Sequence, residues 1–72
     1  MTKLIILLVR MKLGLKKGQQ FKFVGQKTNA RYFFTDTNII KIDYGLPSFS
    51  NVSLNWLLND ECKIIKMDEN GE

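Results

Sequence analysis

The chain has 72 residues, 44% of them hydrophobic and 25% charged, with a formal net charge of +4 and no histidine. That is one small domain with enough apolar residues for a single core, and no low-complexity tract or internal repeat. Lacking histidine, it has no histidine-based catalytic triad, and its single cysteine permits no internal disulfide and makes a zinc site untenable.

The charge is unevenly placed. Lys3, Arg10, Lys12, Lys16, Lys17, Lys22, Lys27 and Arg31 precede any acid, giving +8. From Asp36 onward three bases meet seven acids, giving −4, and the two parts sum to +4. Such a split points to an electrostatic partner surface.

In chain order, Lys3 to Lys12 is apolar on both faces of any strand. It reads as a buried strand or a short buried helix, and Ile5, Ile6 and Val9 tilt the reading toward strand. Its run Leu4–Val9 is too short to span a bilayer and lacks a signal-peptide cleavage pattern. A start at Met11, with the first ten residues as an upstream extension, also fits the sequence. Gly14 and Lys16-Lys17-Gly18 read as a turn. Gln19 to Val24 alternates, with Phe21 and Phe23 on one face and Gln20, Lys22 and Val24 on the other, as in a half-buried strand. A polar loop, Gly25 to Asn29, leads to an aromatic strand from Arg31 to Thr35. Asp36 to Asn38 is a hairpin connection. Ile40, Ile42 and Tyr44 alternate with Lys41 and Asp43 on the next strand, which Gly45 and Pro47 end.

One helix follows, with Ser50 as its N-cap, Phe49 and Leu54 placed as a hydrophobic staple, and Leu54, Leu57 and Leu58 as its apolar stripe. Asn59-Asp60 stops it. Glu61 to Met67 is a final strand opening near Cys62, which reads as a small buried hydrophobe in a reducing, cytoplasmic setting. Residues 1–67 form the expected domain, and residues 68–72 an acidic, disordered tail. The order β-β-β-β-α-β predicts an α+β fold: a small curled antiparallel sheet similar to SH3-like barrels, with one short helix before the last strand.

The stretch Leu15-Lys16-Lys17-Gly18-Gln19-Gln20-Phe21, the pair Phe33-Phe34, and Leu54-Asn55-Trp56-Leu57-Leu58 with Cys62-Lys63-Ile64-Ile65-Lys66 carry a family resemblance. Over residues 15–66 the chain resembles small proteins borne by phages and prophages of low-GC Gram-positive bacteria. The resemblance implies an accessory role on mobile DNA and transfers no catalytic residue.

A nuclease-like pattern of Asp43 with Glu61-Cys62-Lys63 is present, but surface alternation along a strand explains Glu61 and Lys63 equally well. We therefore expect no enzyme, no cofactor and no metal, but a binding module. Its candidate residues are Lys16, Lys17, Lys22, Lys27, Arg31, Tyr32, Phe34, Lys41 and Trp56, which interleave cations with rings. Phe21, Phe23 and Phe33 are assigned to the core. Nucleic acid is the first expected partner; an acidic host protein, bound by a phage accessory factor or inhibitor, is the second. No membrane contact is expected. A homodimer is, with Leu4 to Val9 available for strand pairing.

Overall fold

Four leucines, a methionine and three cations in the segment from Lys3 to Leu13 are strong helix formers, and the segment is capped at both ends. The computed structural model, which describes residues 2–67, shows it as helix α1 (Lys3–Leu13). The Thr2 hydroxyl accepts from the Ile5 N–H at 3.2 Å. Gly14 takes a left-handed φ of 72° at the other end, its N–H directed to the Arg10 and Met11 carbonyls, while the Leu15 N–H reaches Arg10 O at 2.9 Å. Arg10 and Lys12 in the last turn suit the negative end of the helix dipole. The tilt toward strand is thus corrected: caps and helix formers outweigh three β-branched residues.

The strands are β1 (Phe21–Phe23), β2 (Arg31–Phe34), β3 (Ile39–Asp43), β4 (Leu46–Phe49) and β5 (Ile64–Lys66), with helix α2 (Leu54–Leu58) before the last. All neighbours pair antiparallel, in the order β4-β3-β2-β1-β5. The α+β class and the helix before the last strand match expectation. The curled SH3-like barrel does not. Closing a barrel requires the outer strands to pair, and here β4 and β5 are the two free edges of an open sheet. The N-terminal segment expected as a strand is instead a helix lying on the sheet.

Strand β4 falls where Gly45 and Pro47 read as a strand end. Tyr44 and Gly45 both have positive φ, 54° and 76°, and Asp43 stands opposite Leu46. That is a two-residue hairpin turn of the mirror-image kind that matches strand twist. Pro47 is tolerated because β4 is an edge strand. Phe49 therefore sits in a strand and not in a staple. Ser50 donates its N–H to Ile39 O at 2.9 Å, and the α2 N-cap is Ser53, whose hydroxyl accepts from Trp56 N–H at 3.5 Å.

The core lies between one sheet face and the two helices. Phe21, Phe34 and Ile39 from the sheet meet Ile6 and Val9 from α1 and Leu57 from α2, all of them fully buried. The Phe21 and Phe34 rings stack at 5.6 Å, and Phe23 and Tyr32 extend the aromatic cluster with an edge contact at 4.9 Å. Burying each such side chain contributes roughly 1.5–3 kcal/mol. Cys62 is buried beside them, and burial pushes its thiol pKa up, with the Lys12 charge pulling the other way. The expected tail, residues 68–72, lies outside the described residues.

Candidate functional site

Strand alternation gives the sheet a second face, and no helix covers it. Phe21 pairs with Tyr32, so these residues and Phe34 point to the helices, whereas Lys22, Arg31 and Phe33 point away. Across β2, β3 and β4 the registers align Phe33 with Ile40 and Ile40 with Phe49, then Arg31 with Ile42 and Ile42 with Pro47. On the other side Lys22 stands opposite Ile65. None of these apolar residues belongs to the core cluster. Phe49 is 75% exposed and Ile65 55%. Lys63 precedes β5 with the same alternation as Ile65, and its carbonyl accepts from Val24 N–H at 3.0 Å.

Among the described residues, the strand positions of this open face carry no acid, and the carboxylates stand elsewhere. Asp36 lies in the β2–β3 turn, 3.3 Å from Lys17. Asp43 shares the helix-side alternation and lies 3.9 Å from Lys41. Asp60 lies 3.7 Å from Lys12, and Glu61 is in the turn before β5. The face therefore presents Lys22, Arg31 and Lys63 with the rings of Phe33 and Phe49 between or beside them.

At one end the face runs into an open cleft of about 620 Å³ between the β1–β2 loop and the β3–β4 turn. Lys27 and Arg31 supply its cations, Asp43 places one acid at its edge, and Tyr44 forms its rim, the tyrosine being 96% exposed. Gln26 holds the loop in shape. Its side-chain oxygen accepts from Phe23 N–H at 2.8 Å, and its amide nitrogen donates to the Thr28 and Ala30 carbonyls, each at 2.7 Å. Arg31 is steadied by Gln20, whose Oε1 accepts from Nη1 at 3.3 Å.

The structure thus unites some of the candidate residues and separates others. Lys22, Lys27 and Arg31 share the open face and its cleft. Lys41 lies on the opposite face with Asp43. Lys16 and Lys17 follow α1, on the chain leading to β1. Tyr32 is packed against Phe21 and Phe23, and Phe34 is buried, so neither offers a ring to a partner. Trp56 is half-exposed on α2, on the helix side. Phe33, assigned to the core, is on the open face instead, and Phe49, read as a staple residue, and Tyr44, read as a strand residue, were not among the site candidates. Arg31 holds the missed signal: a charged residue at the start of a core-covering strand must face outward, and Phe33 shares its side.

The nuclease-like residues do not converge. Asp43 is on β3 and Lys63 beside β5, with β2 and β1 between them, about 14 Å by strand spacing. Among the described residues no three of His, Cys, Asp and Glu group to hold a metal, and no helix is long and apolar enough to cross a membrane. No family model, curated protein or solved structure matches the chain, so the resemblance to phage and prophage proteins finds no support there and the site stands on its geometry alone.

Proposed function

We propose that this protein binds single-stranded nucleic acid across the open face of its sheet. The observation that carries the reading is that, among the described residues, no acid lies on the strand positions of an uncovered face that holds Lys22, Arg31 and Lys63 beside Phe33 and Phe49. A base stacked on an exposed ring contributes about 1–3 kcal/mol and demands no particular sequence. Cations beside the rings contact the phosphates and set the strand's path. A duplex fits poorly. Its major groove is about 12 Å wide, and a five-stranded sheet spans about 19 Å across its strands. The cytoplasm, where nucleic acid is at hand and a lone thiol stays reduced, is the compartment this reading needs.

Fluorescence anisotropy with labelled single-stranded DNA and RNA oligonucleotides tests it. Three phosphate contacts give a slope near −2 in log K against log salt, at about −0.7 per contact for a single strand. No binding at low salt, or binding indifferent to salt, ends the reading and leaves an acidic protein as the partner for the same face.

A further inference from the structure

Helix α1 is apolar on two opposite sides. Ile6 and Val9 are buried against the sheet, with Ile5 and Leu13 packed beside them. Leu4, Leu7, Leu8 and Met11 follow the i, i+3, i+4, i+7 spacing of a single stripe and are 43–67% exposed. At 3.6 residues per turn this stripe lies diametrically across the helix from Ile6 and Val9. The same wheel puts Lys3 and Arg10 along one border of the stripe and Lys12 along the other. No acid occurs in the helix. Asp60 pairs with Lys12 at 3.7 Å in an exposed contact of the kind that neutralises little. Trp56 and Leu58, on the neighbouring helix of the same layer, are also partly exposed.

We infer that the outward face of α1 is a docking surface for an anionic lipid bilayer, on which the helix lies in the plane of the interface. Three features select this occupant. The border charges are all positive, and cations flanking an aliphatic stripe are what an anionic headgroup layer attracts. A second copy is disfavoured by the same charges, because an antiparallel α1 pair sets Lys3 and Arg10 of one chain against Arg10 and Lys3 of the other. A protein partner is recognised chiefly through aromatic and arginine anchors seated in pockets. The stripe has none, being convex, aliphatic and without a polar group to fix direction, and a bilayer requires none. Lying on a bilayer is distinct from crossing it. The proposal is also independent of the nucleic-acid reading, since the open sheet face is on the far side of the molecule.

Co-sedimentation of the full chain with vesicles tests it, using phosphatidylcholine alone and phosphatidylcholine with about one third phosphatidylglycerol. The expected result is binding to the anionic vesicles only, weakening with salt, with a blue shift of Trp56 fluorescence. Leu4→Ser with Leu8→Ser should lower partitioning about tenfold or more while keeping the wild-type thermal melt. Lys22→Gln with Arg31→Gln, on the other face, should leave it unchanged. The proposal is overturned by equal binding to neutral vesicles, by retention in the leucine double variant, or by loss in the sheet-face variant. It is overturned equally if no vesicle binding occurs, or if the chain dimerises without lipid through a contact that Leu4→Ser and Leu8→Ser abolish.

Discussion

Replacing Ile6 by alanine should cost far more than replacing Leu8, two positions further along the same helix. Ile6 is fully buried among Val9, Phe21 and Leu57, so truncation leaves a cavity as well as losing burial, a combined cost of roughly 2–5 kcal/mol. Leu8 is more than half exposed, and alanine is the better helix former, so Leu8→Ala should fall within about 0.5 kcal/mol of wild type. A domain of this length has about 4–10 kcal/mol in all, so Ile6→Ala removes a large share of it. Urea unfolding followed by circular dichroism reads the difference. With a slope of about 1–2 kcal/mol per molar, the Ile6→Ala midpoint falls by about 1–5 M and the Leu8→Ala midpoint hardly moves. Equal, small shifts would mean that α1 is not docked through this face; a reversed order would mean that it is docked through the other. By the same reasoning a chain starting at Met11 loses Ile6 and Val9 together and should not fold cooperatively.

Three further outcomes follow from local geometry. Tyr44→Asn should raise stability by about 1 kcal/mol in the same urea assay, because Tyr44 holds a left-handed φ of 54° that asparagine adopts more readily. Gly14→Ala should lose about 1–2 kcal/mol, since φ is 72° there, while Lys66 Nζ, 2.6 Å from an added Cβ, ends a flexible side chain that can move aside; Gly14→Asn should lose less. Cys62, buried and with its thiol pKa raised, should react slowly with iodoacetamide at pH 8 and quickly once urea unfolds the chain. Because the folded-state pKa lies above the unfolded one, this group's contribution to stability is fully present below the unfolded thiol pKa and is lost as pH rises from there through the folded one.

The strands β1, β2, β3 and β5 and the α+β class were legible because their alternation and turn residues are local signals. The caps of α1 were legible too: Thr2 precedes the apolar run and Gly14 follows it, with Arg10 and Lys12 in the last turn. A strand was favoured because three β-branched residues were weighed, while Gly14 was read as a turn and Thr2 was not considered as a cap. Strand β4 was obscured by Tyr44, which occupies a turn position where asparagine or glycine is the usual marker. The start of α2 was set at Ser50, and tertiary pairing moves it to Ser53, since the Ser50 N–H is taken up by Ile39. Whether the sheet closes was not legible at all. It depends on which edge the last strand joins, and β5 joins β1, far from β4. For the candidate site, the cations Lys22, Lys27 and Arg31 were named on charge alone, and the fold brings them to one face and its cleft. The rings were assigned to the wrong sides of β2, because three consecutive aromatics hide the phase of a strand until the outward Arg31 is used to set it.

The seven isoleucines divide the two faces between them and so report directly on where a partner sits. Ile40, Ile42 and Ile65 line the open sheet face, whereas Ile5, Ile6, Ile39 and Ile64 lie on the helix side. Methyl-labelled NMR of the isoleucine side chains, titrated with a single-stranded oligonucleotide, distinguishes them in one experiment. We predict that the Ile40, Ile42 and Ile65 methyl signals move and the other four stay. Movement confined to Ile5, Ile6, Ile39 and Ile64, or none at saturating oligonucleotide, would contradict the assignment of the open sheet face as the binding site.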